Sequence, residues 1–481
     1  MLMQQKHGLF PNIIGKGDGA RQLADLLLRM RKEVAAGEES SLNGTPILGL
    51  MPSATIENLI IIDRGVDFAP VLLTQLTYEG LIDELVGIQN NQADVDTAVV
   101  GPAPSAPSSQ GPSSRTEAPA QSQQGLKRKI QLDSSDKLYE QLRDSNFAIV
   151  GSLLNKVARR LESDYESRHG AKSTSELREF VNKLPGYQTE QQSLKIHTGL
   201  AEEIMKHTRS DIFSRVLEVQ QNLAEGTDPS SQHDSIEELI ARDAPLNIVL
   251  RLLCLESCVA GGIRPKDLEN FKRLILHAYG YQHLLTLDAL EKMQLLQSRT
   301  SASALLIPAG TAGGSRTNYT YLRKVLRLIV DEVNEQNPND IAYVYSGYAP
   351  LSVRLVQCVI QKQYLLSITK GSNASNGISN ASQGWAGFED AVKSAGGATF
   401  NRKQSGEDKA IKARQTLAGT GGRKTVVVFF LGGITFTEIA ALRFIARQEE
   451  ARRQIVICTT SIISGNRMMD AAIERGDFSK T

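Results

Sequence analysis

The chain has 481 residues, enough for about three domains of ordinary size, so the burial of a hydrophobic core is not limiting. Its 54 basic and 53 acidic residues leave a net charge of +1. That balance gives no whole-molecule reason to expect nucleic acid, an anionic membrane or an acidic substrate as a partner. The sequence has no apolar run of about 18 residues and no apolar signal core at its start, so we expect a cytoplasmic protein that reaches membranes only through partners.

Residues 1–62 are predicted to form the first segment of an α/β domain. The sequence from Asp18 onward predicts a helix, and just before it Gly15–Ala20 reads GKGDGA, which matches the dinucleotide fingerprint G-x-G-x-x-A. We interpret it as an ordinary turn. Ile13 and Ile14 are too few for the strand that should precede the fingerprint, and no acidic residue ends a second strand about 20 residues later.

Asn58–Ile62 is an isoleucine-rich run typical of a buried parallel strand. Asp63 and Asp67 follow its carboxyl end, where α/β folds bind ligands, so an enzyme that holds a metal or phosphate ligand is one interpretation. No glycine-rich phosphate loop accompanies them. We favour a structural role in which Asp63, Arg64 and Asp67 cap turns and pair locally at a domain junction. The following residues, Leu72–Glu84, predict a helix.

Residues 63–335 are predicted to form a mainly helical domain. Residues 101–125 consist almost entirely of Gly, Pro, Ser, Ala and Gln, which predicts a disordered linker at about 93–129. A helical hairpin is predicted at about 134–226, with a helix over Thr174–Leu184 that ends or kinks at Pro185. Two interpretations of the hairpin remain open: core packing with a solvated tip, or an exposed groove for partner helices.

Later in the helical segment, Cys254 and Cys258 lie four residues apart in one predicted helix. No second pair of ligands accompanies them, so we interpret them as buried thiols and not as zinc ligands. We predict neither a metal nor a cofactor. Tyr279, Tyr281 and His283 surround a predicted helix break, where they either pack in the core or present an aromatic partner surface.

Residues 336–481 are predicted to form the second segment of the α/β domain. Ile341–Tyr345 predicts a strand that restarts the sheet, and residues of about 371–424 predict a flexible loop. Gly419–Thr425 reads GTGGRKT, but an arginine replaces a required glycine and the loop precedes a strand, so we reject nucleotide binding there. Two βα units follow, and Thr435 with Glu438 predicts a capping box at the first of their helices.

The fold class expected from this pattern is α/β plus α, with a parallel-sheet domain split by a large, mainly helical insertion. Several long segments resemble the SM family of SNARE-binding proteins, and within it the vacuolar branch. They are Asp63–Asn90, His169–Gln188, Phe271–Leu287, Tyr343–Gln357 and Phe429–Ala446.

The resemblance implies an arch-shaped SM-type fold and a non-enzymatic role in which the hairpin holds SNARE helices in register and promotes membrane fusion. The hairpin residues implied are Phe180, Lys183, Leu184, Pro185 and Tyr187. A partner subunit of the HOPS or CORVET tethering complex is expected to contact Lys272, Tyr281 and Leu284. The implied location is the vacuole, lysosome or late endosome membrane, reached through these partners.

The family begins with an α/β first domain, whereas this sequence matches the family only from within the second. We therefore expect the first domain and the opening of the second to be missing from the chain. The activities of the first domain are not assigned to it.

Overall fold

The structure is a computed structural model that describes residues 2–39, 52–101, 127–169, 174–299, 316–370, 384–404 and 423–475, with only the backbone described at 34–39, 164–169 and 174–184. In chain order the strands are β1 Asn12–Lys16, β2 Ile56–Asp63, β3 Gln92–Asp96, β4 Lys127–Gln131, β5 Thr399–Lys403, β6 Lys424–Leu431 and β7 Arg453–Thr459. The helices are α1 Leu2–His7, α2 Asp18–Glu39, α3 Ala69–Leu72, α4 Tyr78–Leu85, α5 Thr97–Val100, α6 Lys137–Leu142, α7 Phe147–His169, α8 Thr174–Thr208, α9 Asp211–Glu225, α10 Ser230–Ala241, α11 Leu246–Val259, α12 Pro265–Tyr279, α13 His283–Lys292, α14 Tyr319–Val325, α15 Leu351–Ile360, α16 Lys362–Lys370, α17 Glu389–Ser394, α18 Phe436–Gln448 and α19 Gly465–Ala472.

The chain divides into two compact units. The sheet unit comprises residues 1–74, 215–334 and 338–481, and the hairpin unit comprises 75–214 with 335–337. This division differs from the predicted segments 1–62, 63–335 and 336–481. Residues 215–334 belong to the same unit as the sheet, although the sequence places them in the helical insertion.

The sheet unit contains a five-stranded sheet in the order β5-β1-β2-β6-β7. The four strands β1, β2, β6 and β7 are parallel, and β5 pairs antiparallel with β1 at one edge. The central strands are buried, with Ile60, Ile61 and Val428 each 0% exposed, as expected of a parallel sheet covered on both faces. The prediction of a parallel sheet divided by helices is therefore confirmed.

The GKGDGA segment forms the turn between β1 and α2, where it contacts a protein carboxylate. Contrary to the sequence prediction, a strand does lead into the fingerprint. Although β1 has only five residues, it is hydrogen-bonded on both sides, by β2 and by β5. The carboxylate of Asp63 lies at the start of α2, and its Oδ2 accepts a hydrogen bond from the Gly19 N–H at 2.8 Å. A Cβ added at Gly17, whose φ is +108°, would lie 2.2 Å from the Asp63 Cβ. The glycines thus allow a protein carboxylate to approach the start of the helix.

The hairpin unit is built around α6, α7 and α8, beside a two-stranded antiparallel sheet of β3 and β4. The helix α8 runs without interruption from Thr174 to Thr208, with Pro185 inside it. A helix end at Pro185, and with it a hairpin tip there, is therefore wrong, whereas the alternative of a kink at Pro185 stays a prediction. A proline removes one backbone hydrogen bond, and the other bonds of a 35-residue helix carry it across that position.

Four further local predictions are wrong. Ile341–Tyr345 is a 3₁₀ helix capped by the Asp340 side chain, and not a strand. The strands β3 and β4 and helix α5 occupy both ends of the predicted linker 93–129, and α17 and β5 lie within the predicted loop 371–424. The helix predicted over Leu72–Glu84 is divided into α3 and α4, because Thr77 starts a new helix by accepting a hydrogen bond from the Gly80 N–H. Residues 102–126 and 405–422 lie outside the described part of the chain.

Candidate functional site

The end of strand β2 carries a buried polar network. The Arg64 guanidinium forms an ion pair with Glu438 at 2.8 Å, and the two side chains are 5% and 0% exposed. Arg64 also donates to the backbone carbonyl of Asp67, and the Ser352 hydroxyl donates to Glu438. Although burial opposes its charge, Glu438 and Asp67 raise the pKa of Arg64. The network therefore fixes β2 to α18 and α15 inside the sheet unit.

Asp67 is fully buried, and its carboxylate accepts hydrogen bonds from other groups of the protein. Its Oδ1 accepts from the Tyr319 hydroxyl at 2.7 Å and from the Ala69 N–H at 3.2 Å, and its Oδ2 accepts from the Ser352 N–H at 2.9 Å. Burial raises the pKa of Asp67, and the nearby Arg64 acts in the opposite direction. These hydrogen bonds join Asp67 to neighbouring elements of the fold, which is the structural role that the sequence analysis favours.

Asp63 likewise binds backbone groups. Its side chain accepts from the Gly65 N–H at 3.0 Å, as the cap of a 3₁₀ turn over Arg64–Val66, and from the Gly19 N–H. Asp63 lines a cavity of about 370 Å³, and Arg316 is another of the residues that line it. Within the described ranges, no group of three or more His, Cys, Asp or Glu residues is placed to hold a metal ion.

Sequence reasoning placed Asp63, Arg64 and Asp67 together but missed the main partner of Arg64. The pairing is not local, since Glu438 lies 374 residues further along the chain. The available signal was the capping box that Thr435 and Glu438 form at the start of α18, which the structure contains as predicted. A capping glutamate next to a buried strand end is a candidate partner for a buried arginine.

The hairpin unit presents α7 and α8 side by side, joined near their middle by an ion pair between Arg160 and Glu190 at 3.2 Å. Pro185 is exposed and Tyr187 is half-buried. The side chains of Phe180, Lys183 and Leu184 lie outside the described part, and only their helical backbone is placed.

A polar and aromatic cluster anchors α8 to α4 and α6. The His197 ring is 1% exposed, and its Nδ1 lies 2.9 Å from the Tyr78 hydroxyl while its Nε2 lies 3.1 Å from Asp136 Oδ2. The ring stacks on Tyr139 with 5.8 Å between ring centroids. Burial opposes the charge of Asp136, but hydrogen bonds from His197 and Ser193 hold the pKa of its carboxyl well below the usual range. The cluster holds α8 in place over residues 193–197.

The sheet unit exposes four large apolar side chains in and around α13, namely Tyr281 in the turn before the helix, Leu284 and Leu285 on it, and Met293 just after it. Tyr281 is 71% exposed and Leu284 is 59% exposed, an unusual degree for side chains of this size. Lys272 lies on α12, where it forms ion pairs with Glu269 at 3.0 Å and Glu291 at 2.6 Å. Leu285 and Met293, exposed by 50% and 47%, were missed by the sequence analysis. Helical spacing from Leu284 was not enough to reveal which face of α13 stays uncovered.

The two cysteines of α11 lie inside the sheet unit. Cys254 is buried and Cys258 is partly buried. Burial raises the pKa of the Cys258 thiol to about 12. The two residues pack as small apolar side chains in the described structure.

Comparison with solved structures shows a shared fold. The Unc18–syntaxin 1 complex from Monosiga brevicollis matches with a TM-score of 0.58 at 14% identity, over 98% of this chain and 69% of that one. The SM protein Vps45 in complex with the Qa SNARE Tlg2 matches with a TM-score of 0.56 at 17% identity. That match covers 96% of this chain and 65% of Vps45, so the chain spans somewhat less than two thirds of that neighbour.

Comparison of sequences gives closer relatives. Vacuolar protein sorting-associated protein 33A of Rattus norvegicus is 40% identical over 475 residues, which are 99% of this chain and 70% of the relative. Vacuolar protein sorting-associated protein 33 of Schizosaccharomyces pombe is 34% identical over 471 residues, which are 98% of this chain and 71% of the relative. The Sec1 family profile matches residues 1–471. The resemblance found in the sequence is thereby confirmed, and the chain belongs to the Sec1 family, among the relatives of vacuolar protein sorting-associated protein 33.

Proposed function

We propose that this chain is a non-enzymatic, SNARE-binding subunit of a membrane tethering complex, which templates SNARE assembly for fusion at the vacuole, lysosome or endosome. The observation that carries the proposal is the match to the Sec1 family over residues 1–471, together with 40% identity to a vacuolar sorting relative. Two structural neighbours are SM proteins in complex with a syntaxin or a Qa SNARE, which supports the choice of SNAREs as partners.

The proposed SNARE surface is the α7–α8 pair of the hairpin unit. A SNARE motif is a disordered segment that folds on binding, so its ordering entropy opposes assembly. A pre-formed helix pair that holds the motif as a helix lowers that cost for the next motif. The residues proposed to contribute are Phe180, Lys183, Leu184, Pro185 and Tyr187.

The SNARE proposal is tested by Glu179→Pro. A proline in a helix interior removes a backbone hydrogen bond and clashes with the preceding turn, which disrupts this arm of α8 locally. We expect at least about tenfold weaker binding of a vacuolar SNARE motif in calorimetry. The matched control is Glu179→Ala, which removes the same carboxylate and keeps the helix. Equal affinities for the proline variant and wild type contradict the proposal.

The proposed contact with the tethering partner consists of Lys272 on α12, Tyr281 in the turn between α12 and α13, and Leu284 on α13. Exposed aromatic and aliphatic side chains with a charged neighbour have the composition of an interface core and its rim. Among the helices of the described ranges, none has the length and apolarity of a membrane span.

The tether proposal is tested by Tyr281→Asp. A carboxylate placed in a contact that excludes water is left without a partner, so we expect loss of co-purification with the class C vacuolar-sorting partner subunit. Tyr321→Asp is the control, because Tyr321 is also exposed, at 39%, but lies on α14. A complex that survives Tyr281→Asp contradicts the assigned surface.

A further inference from the structure

A row of positive charge lies along one end of the five-stranded sheet. Because β1, β2, β6 and β7 are parallel, all four begin at this end, and the antiparallel β5 finishes there. The register places Lys403, the last residue of β5, beside Asn12 of β1. It also places Lys424, the first residue of β6, beside Arg453 of β7. We call this end of the sheet the amino edge.

Helix α2 brings its later turns to the amino edge. It starts at Asp18, just beyond the opposite end of β1, and packs along β1 and β2. The five residues of β1 span about 16 Å, which about eleven residues of helix also cover, so α2 reaches the amino edge near Arg29. A hydrogen bond of 2.7 Å from Arg31 Nη1 to the side chain of Gln404, one residue beyond β5, holds the helix there.

Basic side chains predominate among those described at the amino edge. The ones that form no ion pair with another described residue are Arg29, Lys32, Lys403, Lys424 and Arg452. The acidic side chains are Glu33, Glu57, Glu449 and Glu450. Glu57 and Glu449 are engaged by Arg453, at 2.8 and 3.3 Å, and Glu450 pairs with Arg423 at 3.3 Å. The edge therefore carries an excess of positive charge, although the whole chain is nearly neutral.

The amino edge is long and has exposed apolar side chains beside its charges. From β5 to β7 it spans about 19 Å, the width of four strand spacings. Leu26 is 46% exposed and Met30 is 36% exposed, and they lie one turn apart on the same side of α2, next to Arg29. A row of charges of this length suits an extended anionic surface, and the apolar pair suits a surface with an apolar layer beneath its charges.

We propose that the amino edge contacts the anionic phospholipid surface of a membrane directly, with Leu26 and Met30 entering its interfacial layer and the basic side chains facing the headgroups. This goes beyond the proposed function, in which a partner subunit alone brings the chain to the membrane. Each Lys or Arg near such a surface strengthens binding about fivefold, so the contact is modest by itself. It orients the sheet unit on a membrane that the partner has already reached.

Two other anionic partners fit the edge less well. Single-stranded nucleic acid is bound by aromatic stacking as well as by charge, whereas the nearby aromatic side chains Phe10 and Phe400 are buried. An acidic polypeptide is typically bound in a groove or along an open strand. The unpaired charges here come from α2, β5, β6 and the turn before β7, and so lie across the rim of the sheet.

The test is co-sedimentation of the chain with phosphatidylcholine vesicles that contain about 30% phosphatidylserine, at low and at moderate ionic strength, with pure phosphatidylcholine vesicles as the reference. The edge variant combines Arg29→Gln, Lys32→Gln and Arg452→Gln, all at exposed positions, so it is expected to fold. We expect it to bind the phosphatidylserine vesicles at least about tenfold more weakly than wild type, and wild-type binding to weaken as salt rises. Met30→Ser, which leaves the charge unchanged, is expected to lose about threefold.

The matched control combines Lys156→Gln, Arg159→Gln and Lys266→Gln, which remove the same number of charges at exposed positions of α7 and α12. Equal losses in the two triple variants overturn the inference, because they indicate a general charge effect. A wild type that binds phosphatidylserine vesicles no better than phosphatidylcholine vesicles also overturns it, and leaves the SNARE and tether proposals standing, since neither is measured on membranes. Binding of polyglutamate that depends on the edge residues, without binding to vesicles, overturns it in favour of an acidic polypeptide.

Discussion

Arg64 shows how one buried charge depends on its partners. Removing a guanidinium from water costs several kcal/mol, and the cost is offset only by close ion pairs and hydrogen bonds. Here the Glu438 carboxylate and the carbonyl groups of Asp67 and Gly433 supply them. The same network joins the end of β2 to α15 and α18. Loss of Arg64 would therefore weaken the packing of several elements.

Glu438→Gln is therefore expected to destabilise the sheet unit by about 3 kcal/mol or more, because it removes the carboxylate that forms the buried ion pair with Arg64. Urea unfolding followed by circular dichroism measures the change. The control is Glu450→Gln, which removes a carboxylate from an ion pair with Arg423 whose side chains are 67% and 56% exposed. That change is expected to cost less than about 1 kcal/mol, since water screens exposed pairs. Equal losses would show that the buried pair is not the cause.

His233 links α10, α11 and α12 through charge. Its Nε2 lies 3.1 Å from both oxygens of Glu256, its Nδ1 lies 3.8 Å from Asp267, and its ring packs edge-on against Phe271. The hydrogen bond to Glu256 raises the pKa of His233 above its usual value, against the effect of burial. The protonated ring is thus the form that the folded chain favours.

The pH dependence of stability follows from that raised pKa. The stabilisation is complete below the unfolded value of 6.5 and is lost as the pH rises through the higher folded value. We expect the melting temperature of the wild type to fall across this interval more steeply than that of His233→Gln. His207→Gln, at an exposed histidine, is the control. Parallel curves for His233→Gln and wild type contradict the assignment.

At the level of single residues, the sequence revealed positions but not long-range partners. Asp63, Arg64 and Asp67 could be placed at a strand end because an Asp-Arg-Gly turn follows an isoleucine run. The pairing of Arg64 with Glu438 depends on the sheet order β2-β6, which places the two ends side by side, and no local pattern encodes it. The same holds for Leu285 and Met293, whose exposure depends on what the fold leaves uncovered.

Among the elements, errors occurred where tertiary contacts outweigh local preference. β1 is a strand because it is hydrogen-bonded on both sides, although only two isoleucines signal it. Ile341–Tyr345 has strand-forming residues, yet the Asp340 cap starts a 3₁₀ helix there. Pro185 predicts an end or a kink because proline weakens an isolated helix, but α8 continues through this position and is held by contacts further along.

The anchoring of α8 is tested by Asp136→Ala. The carboxylate caps α6 by accepting from the Leu138 and Tyr139 N–H groups, and it binds Ser193 and His197 of α8. Its loss is expected to destabilise the hairpin unit by about 2 kcal/mol and to speed hydrogen exchange of the α8 amides near His197. Asp133→Ala, three residues earlier at an exposed turn, is expected to have a much smaller effect. Unchanged hydrogen exchange of these amides in Asp136→Ala would show that Asp136 does not anchor α8.

For the whole molecule, the sequence predicted the arrangement that matters most. Strands β1 and β2 come from the first 63 residues and β6 and β7 from residues after 423, and all four join in one sheet. Buried strands that return after a long helical interval predict this split. The division between units was not predicted, because it depends on contacts between helices that are far apart in the sequence, such as those of α3 with α11.

SNARE binding is proposed for the hairpin unit and tether binding for the sheet unit, so we expect the two activities to be separable. The most direct measurement is a calorimetric titration of a vacuolar SNARE motif into wild type, Glu179→Pro and Tyr281→Asp, with the tether partner co-purified from each. We expect Glu179→Pro to lose SNARE binding by at least about tenfold while retaining the partner, and Tyr281→Asp to show the reverse. Loss of both activities in either folded variant, or SNARE binding that is unchanged in Glu179→Pro, would contradict the account.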